Sequence, residues 1–179
     1  SPPWDTGTSP PELLEYIHSN TPGKALDLGC GTGLNMLSLY KAGWQVTGVE
    51  FAWLAVKAAK KRFKKEGVKD YSLIQRNVMN VMFADCTFDL ILDIGCFHGL
   101  ANADKAKYIQ RLPGWLTNDG TYLLYGHLSS AGDSRGINST DLDELATRLS
   151  LQRKESGFDK TGPRSVWAWY KKESSTTEK

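Results

Sequence analysis

The stretch Leu26-Asp27-Leu28-Gly29-Cys30-Gly31-Thr32-Gly33 constrains this chain more than any other. A strand-like start, Lys24-Ala25-Leu26, leads into it, and a helix-like run, Leu34 to Ala42, follows. A strand that ends in glycines and turns straight into a helix brings backbone N–H groups up to a ligand. Glycine accepts positive φ there and has no Cβ to hold the ligand off. The spacing is G-x-G-x-G. A dinucleotide turn has its third glycine one residue later, where this chain has Leu34. Asp27, two residues before Gly29, would repel a pyrophosphate and suits a ligand that carries a cation. A nicotinamide-dependent oxidoreductase is disfavoured on both counts.

S-adenosylmethionine (SAM) has the required profile: an ammonium, a sulfonium and an adenosine. The motif resembles the first motif of the class I SAM-dependent methyltransferases, and the likeness runs over nearly the whole chain. On that reading Asp27, Gly29, Cys30, Gly31, Thr32 and Gly33 bind the cofactor, and S-adenosylhomocysteine is the product. Trp44 to Glu50 alternates and is β-rich, so it reads as a second strand closed by Glu50. An acid at that strand end, about 20 residues past the glycine turn, can accept both ribose hydroxyls. Phe51 can lie against the adenine face. After a third strand, Tyr71–Gln75, the Asn77 side chain and the Val78 N–H can meet the adenine edge. Asn77 is a departure, since many methyltransferases have an Asp at this place.

Strands and helices alternate along the rest of the chain, which gives a mostly parallel α/β sheet. Helices are expected from Pro10-Pro11 onward, over Ala52–Glu66, Asp104–Leu112 and Asp141–Leu149, the last capped by Ser139-Thr140. The connection Met79–Thr87 holds at most one helical turn. Phe88–Ile94 is a buried centre strand, and Asp93 near its end joins the cofactor-binding set. Gly95-Cys96-Phe97-His98 should line the methyl-transfer site, with His98 the candidate catalytic residue and His127 a weaker one. Pro113–Gly120 reads as a turn into a fifth strand, Thr121–Gly126. Ser129–Asn138, with Arg135 inside it, is a long loop at the ligand-binding edge. Two β-rich runs, Ser150–Gly157 and Pro163–Lys172, make a terminal antiparallel hairpin. The fold implied by the resemblance is α/β and Rossmann-like. It is a mostly parallel seven-stranded sheet with a terminal antiparallel hairpin and helices on both faces. Residues 1–172 read as one domain, with 1–22 an N-terminal lid segment and helix, and 173–179 as a polar tail.

Composition narrows the partners. At 179 residues the chain can bury a full core, and a net charge of +2 is too small to argue for nucleic acid. The basic run Lys57, Lys60, Lys61, Arg62, Lys64 and Lys65 reads as a solvated helix face rather than a nucleic-acid patch. Asp93-Ile94-Gly95-Cys96 stands where amino-directed DNA methyltransferases have an N-P-P-Y type block. Cys30, Cys86 and Cys96 show no C-x-x-C spacing, so no metal site is expected and a reducing, cytoplasmic setting is the default. The start is no signal peptide, and no stretch is long enough to span a membrane.

A narrower resemblance rests on the opening PPWDTG, on FDLILDIGCFHGL and on LTNDGTYLLYGHL. These blocks are similar to the thiopurine/thiol/halide methyltransferase group. In that group an N-terminal Trp-containing segment folds over SAM, and Trp4 is the matching residue here. The group implies in-line transfer of the sulfonium methyl to a small soft nucleophile such as a thiol, selenol or halide. Such acceptors are partly or fully ionised at neutral pH, so no strong base is needed. Other small-molecule acceptors on oxygen, nitrogen or carbon, and a non-catalytic SAM-binding role, are the alternatives. The expected partner is a small-molecule acceptor, with neither nucleic acid nor membrane, and the chain acts as a monomer or dimer.

Overall fold

The computed structural model describes residues 7–130, 135–158 and 162–173 of the chain. Trp4 and the tail from residue 174 lie outside them. Packing divides the chain into two compact units, Ser1–Val81 and Met82–Lys179.

The first unit runs α1 (Pro11–Ser19), β1 (Lys24–Leu28), α2 (Leu34–Lys41), β2 (Gln45–Glu50), α3 (Trp53–Lys65) and β3 (Ser72–Gln75). Proline stands in the first turn of α1, where its missing N–H costs nothing. The three strands lie in the order β3-β2-β1 and every pairing is parallel. Register places Asp27 beside Gly48 and Glu50 beside Gln75. Parallel strands point their carboxyl ends the same way. The glycine turn after Leu28, Glu50 and the segment after Gln75 therefore all leave one edge. Ala25, Leu26 and Leu28 of β1 are buried, as are Met36 and Leu39 of α2. α3 buries Val56, Ala59 and Phe63, a stripe at helical spacing. Full burial of a Phe such as Phe63 is worth roughly 2–3 kcal/mol.

The second unit runs β4 (Phe88–Ile94), α4 (Asn102–Trp115), β5 (Leu116–His127), α5 (Ser139–Ala146), β6 (Ser150–Phe158) and β7 (Arg164–Lys171). Its strands lie in the order β4-β5-β7-β6. β4 and β5 are parallel, while β7 is antiparallel to both β5 and β6. β4 carries the apolar run expected of a centre strand, with Leu90, Ile91 and Leu92 fully buried. β6 is exposed over nearly its whole length, and the charged side chains Arg153, Lys154 and Glu155 blunt it as an edge. Seven strands, mostly parallel and closed by an antiparallel hairpin, make this the Rossmann-like α/β class expected from the sequence.

Three local expectations need correction. α4 runs on to Trp115 through Pro113, where the sequence suggested a stop at Leu112. In the last turn a proline removes only one hydrogen bond, and burial of Trp115 against Phe83 favours continuing. β5 begins at Leu116, and the anticipated turn survives inside it as an irregularity. Register jumps from Phe88↔Leu116 to Leu90↔Thr121, and Asp119 has φ +63°. A Cβ on Gly120 would lie 2.9 Å from the Thr117 carbonyl oxygen and 3.0 Å from that of Phe88, which explains the glycine. The cap of α5 is Asn138 rather than Ser139 or Thr140. Asn138 and Asp141 exchange side-chain-to-backbone hydrogen bonds in a capping box. The short connection after β3 is, as expected, one 3-10 turn, Val78–Asn80.

Candidate functional site

The glycine turn is left-handed at three of its five residues, with φ of +74° at Gly29, +53° at Gly31 and +76° at Gly33. The Gly29 and Cys30 N–H groups both donate to the Val49 carbonyl, at 2.8 and 3.0 Å, which ties the turn to the end of β2. Gly33 also has a packing reason, since a Cβ there would lie 2.8 Å from the Phe63 ring. Gly48 is needed for the same kind of reason. A Cβ there would lie 2.3 Å from the Met36 sulfur and 2.7 Å from that of Cys30.

Glu50 is buried, and its carboxylate closes the mouth of the turn. Oε2 accepts the Gly31 N–H at 3.0 Å and Oε1 accepts the Ala52 N–H at 2.8 Å. A carboxylate offers about four lone-pair sites. Two are used by backbone, which fixes the group's orientation and leaves one acceptor direction on each oxygen for a vicinal diol. Asp27 is 2 % exposed on β1, a second buried acid on the same turn. Burial pushes the Cys30 thiol far above the ordinary range, and Asp27 and Glu50 push it the same way. Cys30 is therefore a neutral wall residue, not a nucleophile.

Thr32 is clasped by Arg62 of α3. Nε donates to the Thr32 carbonyl and Nη2 to its Oγ1, both at 3.1 Å. The sequence assigned Arg62 to a solvated face. Only its position one residue from the buried Phe63 hints otherwise. Phe51 is 73 % exposed immediately after Glu50. The Asn77 Oδ1 accepts the Met79 N–H at 2.8 Å and so caps the turn that carries Val78. Asp27, Gly29–Gly33, Glu50, Phe51, Asn77 and Val78 thus all belong to the first unit and lie in or just beyond its strand ends. Two buried acids and a turn free of side chains at three positions fit a cationic, adenosine-bearing group. Trp4 lies outside the described residues.

Asp93 and His98 belong to the second unit. Asp93 is fully buried, and its carboxylate is engaged by protein donors. Oδ1 accepts the Cys96 and Phe97 N–H groups at 3.0 and 3.1 Å, and Oδ2 accepts the Tyr108 hydroxyl. The Tyr122 hydroxyl faces the same carboxylate without a hydrogen bond of good geometry. Burial raises the Asp93 pKa to about 6 against the pull of these donors. Asp93 therefore holds the turn Phe97–Gly99 in place from inside the core, rather than offering its oxygens outward. Tyr108, which the sequence reading missed, lies 15 residues further on, beyond any local pattern.

His98 Nδ1 accepts the His127 backbone N–H at 3.1 Å, so the neutral ring carries its proton on Nε2. The His98 and His127 rings stack with centroids 4.9 Å apart. Lys105 is a second missed residue. Its buried ammonium donates to Asp141 Oδ2 at 2.8 Å and to the Gly136 carbonyl, while the Gly136 N–H donates to the His98 carbonyl at 2.9 Å. This fixes the end of the loop after β5 to the turn that bears His98. Arg135 is exposed on that loop. Among the described residues, no three His, Cys, Asp or Glu side chains gather as a metal site.

Residues 25–120 match the family described as methyltransferase domain. The chain is similar to a 2-heptyl-1-hydroxyquinolin-4(1H)-one methyltransferase of Mycobacteroides abscessus, 30% identical over 112 residues. That match covers 62% of this chain and 49% of the relative. It is also similar to the sterol 4-C-methyltransferase strm-1 of Caenorhabditis elegans, 31% identical over 116 residues, covering 64% of this chain and 32% of the relative. The chain thus spans half or less of the length of these curated relatives. Among solved structures it resembles the N-methyltransferase NodS from Bradyrhizobium japonicum in complex with S-adenosyl-L-homocysteine. The TM-score is 0.78 at 17% identity, over 89% of this chain and 83% of that one, a likeness of fold.

Proposed function

Because the chain belongs to the methyltransferase domain family, we propose that it moves the SAM methyl group to a small soft nucleophile, a thiol, selenol or halide. The observation that carries the cofactor assignment is the Glu50 carboxylate, pinned by the Gly31 and Ala52 N–H groups beside the left-handed turn. Bound SAM supplies an electrophilic methyl carbon on a sulfonium. Asp27 meets the cationic end. Glu50 accepts the ribose hydroxyls, Phe51 covers the adenine face, and the Asn77 Nδ2 and Val78 N–H meet its edge. Asp93 positions the turn that carries His98.

His98 suits hydrogen-bond donation from Nε2 better than proton abstraction, because its Nδ1 lone pair is already engaged. An acceptor that arrives as a thiolate, selenolate or halide needs orientation and a dry site rather than a base. The three cysteines are free thiols, which suits a reducing cytoplasm.

A second reading is supported by what the relatives' names say they act on, a heptyl-hydroxyquinolone and a sterol. It makes the acceptor a larger lipophilic molecule. One assay separates the two: release of S-adenosylhomocysteine with bisulfide, small and aromatic thiols, a selenol, iodide and a 2-alkyl-hydroxyquinolone. Turnover with thiols or iodide supports the first reading. Turnover confined to the quinolone replaces it with the second. Binding of S-adenosylhomocysteine without turnover on any of these acceptors overturns the first reading and moves the search to other oxygen, nitrogen or carbon acceptors or to a non-catalytic role.

A further inference from the structure

α3 carries five lysines, Lys57, Lys60, Lys61, Lys64 and Lys65, and no acid among its thirteen residues. All five are exposed. The same helix begins with two large apolar side chains turned to solvent, Trp53 at 58% and Leu54 at 64% exposure. At about 100° per residue, Trp53, Leu54, Lys57, Lys60, Lys61, Lys64 and Lys65 fall within an arc of about 140°. The buried stripe Val56, Ala59 and Phe63 lies on the opposite side. The Lys57 ammonium sits 5.6 Å over the Trp53 ring, so the aromatic and basic parts adjoin. The nearest acid along the chain, Glu66, is paired with Lys41 at 2.6 Å, and Lys65 and Arg62 act on it more weakly, so one acid stands beside five lysines. Arg62 is not part of this face, being committed to Thr32. Phe51 is left to the cofactor.

We propose that this face of α3 docks on an anionic lipid surface, with Trp53 and Leu54 entering the interface and the lysines meeting the headgroups. Charge complementarity selects the partner. Five lysines on one face of a chain whose net charge is only +2 concentrate the basic potential on this helix. The apolar pair selects a bilayer over a nucleic acid. Trp53 suits either partner, but an exposed Leu54 gains nothing from phosphate and offers no plane for a base to stack on. The association is peripheral, since no described helix is long and apolar enough to cross a membrane. The solvated-face reading of the basic run lacked one fact, that the first turn of this helix exposes its apolar residues as well. The proposal does not depend on which acceptor is methylated.

The test is co-sedimentation of the whole chain with phosphatidylcholine vesicles, with and without roughly 30% phosphatidylserine, at low and high salt. Binding is expected only to the anionic vesicles, and weaker in salt. Of the described tryptophans, Trp44, Trp115, Trp167 and Trp169 are buried, so with Trp4→Phe as the background Trp53 is the reporter. Its emission should shift to the blue on binding, and Trp53→Phe should abolish the shift while binding persists. A lysine near such a surface contributes about 1 kcal/mol, roughly fivefold in partition. Charge reversal in Lys61→Glu/Lys64→Glu should therefore weaken binding by more than about 25-fold, while the urea midpoint and S-adenosylhomocysteine affinity stay unchanged. Leu54→Ser should weaken binding at either salt. No sedimentation, or sedimentation that survives both variants, overturns the proposal. So does salt-sensitive binding of duplex DNA or RNA that vesicles fail to displace, or self-association that Leu54→Ser removes.

Discussion

Replacing Asp93 by Asn isolates the cost of keeping one carboxylate in the core. Asp93 is fully buried, and its pKa rises from an ordinary 3.8 to about 6 because burial outweighs the donors around it. The folded state thus holds this proton more tightly than the unfolded chain does. Between those two values the folded state binds more protons, so stability falls as pH rises. The full difference, about 2.2 pH units at 1.36 kcal/mol each, is about 3 kcal/mol. Between pH 4.5 and 7.5 the same linkage gives about 2 kcal/mol. Asn preserves the shape, since its Oδ1 can still accept the Cys96 and Phe97 N–H groups, and its Nδ2 can donate to a reoriented Tyr108 hydroxyl. Urea unfolding of both proteins at the two pH values gives a double difference that cancels every other titrating group. The stability of the wild-type chain relative to Asp93→Asn should fall by about 2 kcal/mol from pH 4.5 to 7.5. A difference that stays constant with pH, or grows, refutes the assignment of a raised Asp93 pKa.

Glu50→Gln keeps the size of the side chain but sets an NH2 against a backbone N–H. S-adenosylhomocysteine binding by calorimetry should weaken by roughly 10²-fold, from about 3 kcal/mol in two charge-assisted bonds. Unchanged affinity would remove Glu50 from the ribose. Gly33→Ala and Gly67→Ala separate backbone strain from collision. Both glycines have φ near +70°, but a Cβ at Gly67 meets nothing within 4 Å and one at Gly33 meets Phe63. Thermal or urea unfolding should show a loss of about 1 kcal/mol at Gly67 and at least about 2 at Gly33. Equal losses would mean the Phe63 contact is immaterial. Lys105→Met breaks a buried ion pair and leaves Asp141 without its partner, costing about 3 kcal/mol. A cycle with Asp141→Asn showing no coupling would place that stability elsewhere.

What could be read from the sequence was what is local or periodic. The glycine turn declares itself because positive φ at Gly29, Gly31 and Gly33 demands one residue type at fixed spacing. The strand ended by Glu50 follows from period-two alternation, and β4 from an unbroken apolar run between polar residues. The misses share a physical origin. Pro113 is disfavoured in a helix interior, yet in the last turn the burial of Trp115 outweighs the loss of one hydrogen bond. Asn138 and Ser139 are equally good caps as residue types, and only the reciprocal bond to Asp141 decides between them. Arg62 and Lys105 look like solvated charges until the chain folds. Their acceptors, Thr32 and Asp141, are 30 and 36 residues away. No hydropathy pattern records such pairings. Asp93 reads from the sequence as a cofactor-binding residue, but whether its oxygens face a ligand or the protein depends on Tyr108 and on the turn at Phe97, which fold back from later in the chain.

The Arg62 clasp on Thr32 ties the surface helix α3 to the glycine turn through two hydrogen bonds. A ligand that stiffens the turn stiffens the helix, and a surface that seats the helix steadies the turn. Two equilibria that share a rigid element are thermodynamically coupled, and the coupling is reciprocal. Whatever factor a vesicle adds to S-adenosylhomocysteine affinity, S-adenosylhomocysteine must add to vesicle affinity. Product left in the turn would then change vesicle affinity by the same factor that the vesicle adds to product affinity, so the two affinities would share one coupling free energy.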